Sequence, residues 1–334
     1  MGFSGRLASM AGVPYCAVLG STPGMPPSAG LRRSTETSMP SDKTPPLPFP
    51  SQAILAPAGS DWGRWQVGVG TGDTRRPRFR LDKADPYAKP WSLGSKTEDQ
   101  HAIEAAAAEI DTLQNLFWAD RRFKLLLVLQ GMDASGKDGT VRKVFSRTTP
   151  LGVHTISWKA PTGPEQAHDF LWRIHQQVPG AGEIMVFNRS HYEDVLVPVV
   201  GGHLTPALTR QRFAHINDFE RLLAETGTVI VKCMLHISSD EQRKRLQERI
   251  DNPAKHWKFD HNDLVARQRW DDYQRAYEDL LNATSTPWAP WNVVPSDSKT
   301  HRNLMVAGLL RDTLRALPLR VPPEDPALSR LRIP

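Results

Sequence analysis

The apolar positions of this chain change rhythm near residue 98. Residues 1–62 show no apolar periodicity and are rich in Pro, Ser, Gly and Thr, as in TPPLPFP. Such a stretch cannot bury enough surface to offset its ordering entropy, so a disordered extension is expected. Residues 63–97 read as a polar, Pro-containing connector without regular pattern. From residue 98, Ile103, Ile110, Leu113, Leu116 and Phe117 mark one face of a helix. FKLLLVLQ (123–130) is a short continuous apolar run, the pattern of a strand buried on both faces. A Gly-rich loop follows, then a helix starting near Gly139. VHTISWK (153–159) predicts a strand, the stretch after Pro164 a helix, and EIMVF (183–187) a buried strand. A long helix is expected after Thr205, with Ile216, Phe219, Leu222 and Leu223 on one face. TVIVKCMLHIS (228–238) predicts the next strand, 239–251 and 260–283 two polar helices, WNVVP (291–295) a last strand and 299–316 a last helix. Strands alternating with helices imply an α/β fold with a parallel sheet covered on both faces. No internal repeat is visible. The domain is placed at 98–318, with 319–334 as a C-terminal tail.

Composition narrows the function little. The net charge is +6 and the pI about 9.4, which suits nucleic acid, a membrane surface or an anionic substrate equally. The two cysteines, Cys16 and Cys233, are far apart and have no neighbours at zinc-ligand spacing, so a reduced cytoplasmic setting without disulfides is expected. No run of eighteen apolar residues is present, so no membrane span is expected. The first residues weakly resemble a signal peptide, but Pro14 interrupts their short apolar stretch, and Arg6 breaks the myristoylation pattern begun by Gly2.

The candidate chemistry lies in GMDASGKDGT (131–140). Gly131, Gly136 and Lys137 have the P-loop spacing G-x-x-x-x-G-K. Glycines let successive N–H groups turn toward one phosphate, the following helix presents its positive end, and the lysine adds a point charge. The phosphate-binding set is therefore Gly131, Ala134, Ser135, Gly136, Lys137, Asp138, Gly139 and Thr140. A chance match in a surface turn is the bland alternative, and the buried strand leading in argues against it. Asp138 stands where most P-loops have Ser or Thr for magnesium. A carboxylate is also a hard oxygen ligand, so Asp133 and Asp138 are candidate metal ligands. Two acids in a phosphate cradle repel a bare anion and are read as holding cations or positioning an acceptor.

The strand EIMVF ends in Asn188-Arg189-Ser190-His191-Tyr192-Glu193-Asp194. Asn188 occupies the place of a Walker B acid. Arg189 suits charge spread over a transferring phosphoryl group. Glu193 and Asp194 are candidates for metal or acceptor contacts, or else first-turn acids that complement a helix dipole. Taken together, GMDASGKDGT and FNRSHYEDVL resemble the polyphosphate kinase 2 family. LQNLFWADRRFKLLLVLQ, ERIDNPAKHWKF, WDDYQRAYEDLLNATST, APWNVVPSD, Lys299 and Arg302 extend the resemblance over roughly residues 80–318. Asn188, Glu193 and Asp194 are most similar to the class III branch, whose members accept both AMP and ADP.

The resemblance implies a P-loop kinase fold with a helical lid at about 239–283, Mg²⁺ as cofactor, and phosphoryl transfer between inorganic polyphosphate and AMP, ADP or ATP, with GMP and GDP as further nucleotides. It implies a homo-oligomer, dimer or tetramer, acting on neither nucleic acid nor membrane. Lys137, Arg189 and Asp133 are the expected catalytic residues, and Asn188, Glu193 and Asp194 the expected nucleotide contacts. Arg243, Arg249 and Lys258 are the expected lid contacts to polyphosphate. Apart from the resemblance, the cations of 239–283 suit a polyanion, while Glu248, Asp251, Asp260 and Asp263 are available as partners on a solvated face. Trp257 and Phe259 are read as packing the lid base or stacking on the acceptor base. Trp270, Tyr273, Tyr277, Leu280 and Leu281 fall at helical spacing and are read as core. The rival functions are an ATP-dependent kinase of the same fold and a non-catalytic nucleotide- or nucleic-acid-binding module.

Overall fold

A computed structural model describes residues 65–68, 78–328 and 331–333. The extension expected over 1–62, with Cys16, lies outside the described residues. The elements that build the sheet and its helices are α1 (Lys96–Asp120), β1 (Lys124–Gln130), α2 (Lys137–Val144), β2 (Val153–Ser157), β3 (Ile184–Asn188), α3 (Glu193–Val200), α4 (Pro206–Glu225), β4 (Thr228–His236), α5 (Ser239–Asp251), α6 (His261–Gln268), α7 (Trp270–Thr284), β5 (Trp291–Pro295) and α8 (Lys299–Ala316). Among the described residues no helix is long and apolar enough to cross a membrane.

The five strands form one parallel sheet in the order β2-β3-β1-β4-β5. Leu127 of the central strand lies opposite Val186 on one side and Val231 on the other. Alternation along β1 sorts its leucines between two cores. Leu125, Leu127 and Leu129 pack toward α1, α2 and α8. Leu126 and Val128 pack toward α3, α4 and α7. Both faces are covered, which is why β1 reads as one unbroken apolar run. Helix starts follow their caps: Ser95 and Glu98 form a capping box on α1, and the Thr205 side chain caps α4 with Pro206 at its first position.

Three differences from the sequence reading have local causes. The helix expected after Pro164 is two single turns, Gly163–Gln166 and Trp172–His175. Between them the Asp169 carboxylate accepts the Leu171 N–H at 2.9 Å, a local bond that competes with helix continuation. The helix expected over 260–283 is split at Arg269, whose φ of −103° and ψ of 28° leave the helical region. Asn252, extended as a residue before proline must be, ends α5, and the 3₁₀ turn Pro253–Lys258 follows.

The third difference lies in the expected connector, parts of which are docked on the domain. Trp65–Val67 run antiparallel to β5, with Val67 N–H donating to Trp291 O at 2.8 Å and Val293 N–H to Trp65 O at 2.7 Å. The segment is too short for a period of two to register. Trp91 packs against Gly308 of α8, where a Cβ would come within 2.6 Å of its ring. Its N–H donates to His301 Nε2 at 3.0 Å.

One polar group sits deep in the second core. Lys232 of β4 is fully buried, and its ammonium donates to Glu220 Oε2 (2.7 Å), Tyr192 OH (2.8 Å) and Thr284 O (2.8 Å). Tyr192 OH in turn donates to Glu220 Oε1 at 2.7 Å. The cluster joins α3, α4, β4 and α7. Cys233, the next residue, faces the first core, where it is buried and free, with its thiol pushed up to about 12 by that burial.

Candidate active site

The carboxyl ends of β1 and β3 lie side by side, the position where open parallel sheets bind ligands. After Gln130 the chain turns through Gly131 at φ 146°, Ala134 at φ 63° and Gly136 at φ 105°, then enters α2 at Lys137. Ala134 pays a steric cost in the left-handed region that glycine would not. At Gly131 a Cβ would meet Leu235 O at 2.6 Å, and at Gly136 it would meet the Arg302 guanidinium at 2.0 Å. Both glycines are therefore required by close approach as well as by conformation. Lys137 reaches back to Gly131 O at 2.7 Å, and its burial pushes the ammonium pKa down. The Ser135 hydroxyl is buried with no hydrogen-bond partner among the described residues.

The loop is held from outside by groups that donate to its backbone carbonyls. Arg302 of α8 donates to Ser135 O (3.0 Å) and Thr140 Oγ1 (2.8 Å). Arg245 of α5 donates to Ala134 O (3.0 Å), Ser135 O (3.2 Å), Ser296 O and Asp297 O (both 2.8 Å). Gln242 donates to Asp133 O at 3.1 Å. These donors take the carbonyls of Asp133, Ala134 and Ser135, while inside the loop the Ser135 N–H donates to Met132 O at 3.1 Å. Burial, with the Arg245 charge nearby, lowers the Arg302 pKa to about 9. Sequence reasoning counted Arg245 and Arg302 without assigning this role. One signal was present: Gln242 and Arg245 share helical spacing with buried Leu246, so polar residues stand on a core-facing stripe.

Two carboxylates border the loop. Asp133 Oδ1 accepts from Arg189 Nη2 at 2.6 Å. Burial opposes its ionisation, but Lys137, Arg189 and Arg249 together hold the carboxyl below its usual value. Asp138 Oδ1 accepts from Asn188 Nδ2 at 2.5 Å, so the residue in the Walker B place orients a loop acid. Arg189 itself has φ 62°, a left-handed backbone at the end of β3. Glu193 is held toward the crevice by Gln130 Nε2 at 3.2 Å, and burial raises its pKa against the pull of Arg189 and Lys137.

The remaining candidates are placed differently. Asp194 turns away to Arg173, which donates to both its oxygens at 3.2 and 2.9 Å. Thr140 points its hydroxyl at Gly136 O and Asn303. Gly139 carries no side chain against the loop, and Arg243 is exposed. Arg249 donates to Asp263 Oδ2 at 3.0 Å and Lys258 O at 3.1 Å. Lys258 Nζ lies 4.9 Å from the centre of the Trp257 ring, and Trp257 is 75% exposed. Tyr277, Leu280 and Leu281 are core, with Trp270 and Tyr273 packed against it.

No group of three or more His, Cys, Asp or Glu among the described residues is placed to hold a metal alone. Mg²⁺ usually keeps waters and takes one or two carboxylates plus substrate phosphates. Asp133 and Asp138, flanking a phosphate cradle, fit that donor set.

Comparison with known proteins places the chain among characterised relatives. The family model for polyphosphate kinase 2 matches residues 94–319. The AMP/ADP-polyphosphate phosphotransferase of Meiothermus ruber is 46% identical over 256 residues, which is 77% of this chain and 96% of that protein. The ADP-polyphosphate phosphotransferase of Rhodopseudomonas palustris is 40% identical over 257 residues, 73% of this chain and 87% of that protein. The crystal structure of polyphosphate kinase 2 from Arthrobacter aurescens superposes with a TM-score of 0.75 at 44% identity, covering 80% of this chain and 94% of that one. A family model matched over residues 94–319 and relatives matched over nearly their whole length lead to one assignment: the chain belongs to the polyphosphate kinase 2 family.

Proposed function

We propose that the protein passes phosphoryl groups between inorganic polyphosphate and nucleotides, converting AMP to ADP and ADP to ATP, with GMP and GDP as further acceptors. The carrying observation is the Asp133–Arg189 contact beside Lys137, which puts a cation, a carboxylate and a phosphate cradle at one crevice. The backbone N–H groups of Ala134 to Gly139, with Lys137, hold the phosphate to be transferred. A phosphate oxygen of the acceptor nucleotide attacks the terminal phosphorus of polyphosphate. The bond to the next phosphate breaks, and the chain leaves one unit shorter. Arg189 faces the charge that spreads over the oxygens in transit. Asp133 and Asp138 would hold Mg²⁺, which supplies charge neutralisation between phosphates when bound. Segment 239–283 serves as a lid that excludes water, with Arg243, Arg249 and Lys258 along the polyphosphate. Glu193 is assigned to the acceptor side, and Asp194 to holding the turn that carries it. The reading includes a cytoplasmic dimer or tetramer.

The test follows nucleotide products from polyphosphate with AMP, ADP, GMP or GDP, with and without Mg²⁺, beside a reaction with ATP as donor. Mg²⁺-dependent ADP from AMP and ATP from ADP, with polyphosphate as donor, is expected. ADP made from AMP with ATP but not with polyphosphate overturns the reading in favour of an ATP-dependent kinase.

A further inference from the structure

Asp263 is the third residue of α6, a place where an acid ordinarily stays in water and complements the helix dipole. Here its side chain is only 7% exposed and accepts from Arg249 Nη1 at 3.0 Å. It also reaches back to the Asp260 backbone N–H at the start of its own helix, while the Asp260 side chain serves the Asn262 N–H. Burial and the facing charge of Asp133 raise its pKa above the usual carboxylate value. Arg249 in turn acts electrostatically on Asp133, and Arg189 on Asp263. Two ion pairs, Arg189–Asp133 at 2.6 Å and Arg249–Asp263 at 3.0 Å, thus act on one another beside the loop, with Lys137 and Glu193 also acting on the first. A buried carboxylate facing a site for polyanions is electrostatically costly, and its bond to the helix start does not require it to hold Arg249 as well.

We propose that Asp263 is a specificity-determining residue: it occupies Arg249 as a built-in competitor, so that ligands carrying many phosphates displace it and short phosphates do not. The inference rests on the proposed polyphosphate reading for its biological ligand, while its physical content concerns anion binding alone. A long chain brings enough charge to Lys137, Arg189 and the lid cations to offset separation of the Arg249–Asp263 pair. A short anion gains fewer contacts while facing the same separation.

The experiment measures equilibrium binding of pyrophosphate and of long-chain polyphosphate, without acceptor, to the full-length protein and to Asp263→Asn. Asparagine can still accept the Arg249 hydrogen bond and removes the charge. Pyrophosphate is expected to bind Asp263→Asn roughly three- to tenfold more tightly than wild type, the order expected for removing one nearby like charge, with a smaller gain for the long chain. Asp251→Asn, an exposed acid of the neighbouring helix, controls for net charge and is expected to change affinity by less than about twofold. A gain in affinity cannot arise from misfolding, so a merely structural role predicts the opposite direction. Unchanged or weaker pyrophosphate binding, an equal gain in Asp251→Asn, or a larger gain for the long chain overturns the inference. If wild type turns over polyphosphate and Asp263→Asn shows no gain, only this inference falls. If neither protein binds either anion, the proposed function falls with it.

Discussion

Lys232 with Glu220 and Arg189 with Asp133 are both cation–carboxylate pairs, at 2.7 and 2.6 Å, in one domain. Their surroundings differ. The first pair is fully buried, and each proton of the ammonium has an acceptor in Glu220, Tyr192 or Thr284. In the second, the side chains are 40% and 22% exposed, and among the described residues the Arg189 side chain makes one hydrogen bond, to Asp133. A closed, fully satisfied pair has no capacity for a further ligand and serves the fold. An open pair beside a strained backbone keeps donors available and can exchange a partner. Polar burial alone does not mark a functional site; unfinished polar satisfaction at a crevice does.

The strongest challenge to that contrast is Lys137→Ala at the open site. Phosphotransfer should fall roughly 10³- to 10⁴-fold, with the denaturation midpoint unchanged or raised because a buried cation is gone. Near-wild-type turnover would remove Lys137 from the chemistry.

Lys232→Met asks the converse. It leaves the Glu220 carboxylate buried without its counter-charge and should cost about 3–5 kcal/mol in chemical denaturation, while kcat below the transition stays within about twofold. Lys232→Met with Glu220→Leu should recover most of that stability. A large loss of kcat without loss of stability would erase the distinction between the two pairs.

His301 provides the mildest case, a buried polar group whose burial outweighs the charge of nearby Asp99. Its Nε2 accepts the Trp91 N–H, which requires a neutral ring, and burial lowers its pKa from 6.5 to about 4. The unfolded chain then binds more protons than the folded one between these values, so stability is complete above pH 6.5 and declines as pH falls toward 4. His301→Gln, which keeps an acceptor without titrating, should flatten that slope by roughly 1–2 kcal/mol across the window. An identical slope in both proteins would show that other groups set it.

The strands were legible because two covered faces make continuous apolar runs, and a single lysine within TVIVKCMLHIS does not interrupt the pattern. That same residue concealed its partners: nothing local connects Lys232 to Glu220 or to the Thr284 carbonyl. Asp169 broke an expected helix through one side-chain bond, a choice that periodicity cannot register. At the candidate site, Gly131, Gly136, Lys137, Asp133 and Arg189 stood out in the sequence by residue type and spacing, and the fold brings them together. Arg245 and Arg302 were not assigned because they serve backbone carbonyls, and a carbonyl has no residue identity to search for. Asp263 read as an ordinary helix-face partner because burial, rather than type, sets it apart.

The bond from Arg302 to Ser135 spans 167 positions. During synthesis the loop emerges well before the guanidinium that fills the space above Gly136, which belongs to α8. A nascent chain can have its glycines, its lysine and much of its sheet while lacking the brace behind them. The finished anion cradle is thus a late product of translation, dependent on a long-range closure of the kind that slows folding. Ribosome-held intermediates would carry the recognisable motif without its completed support.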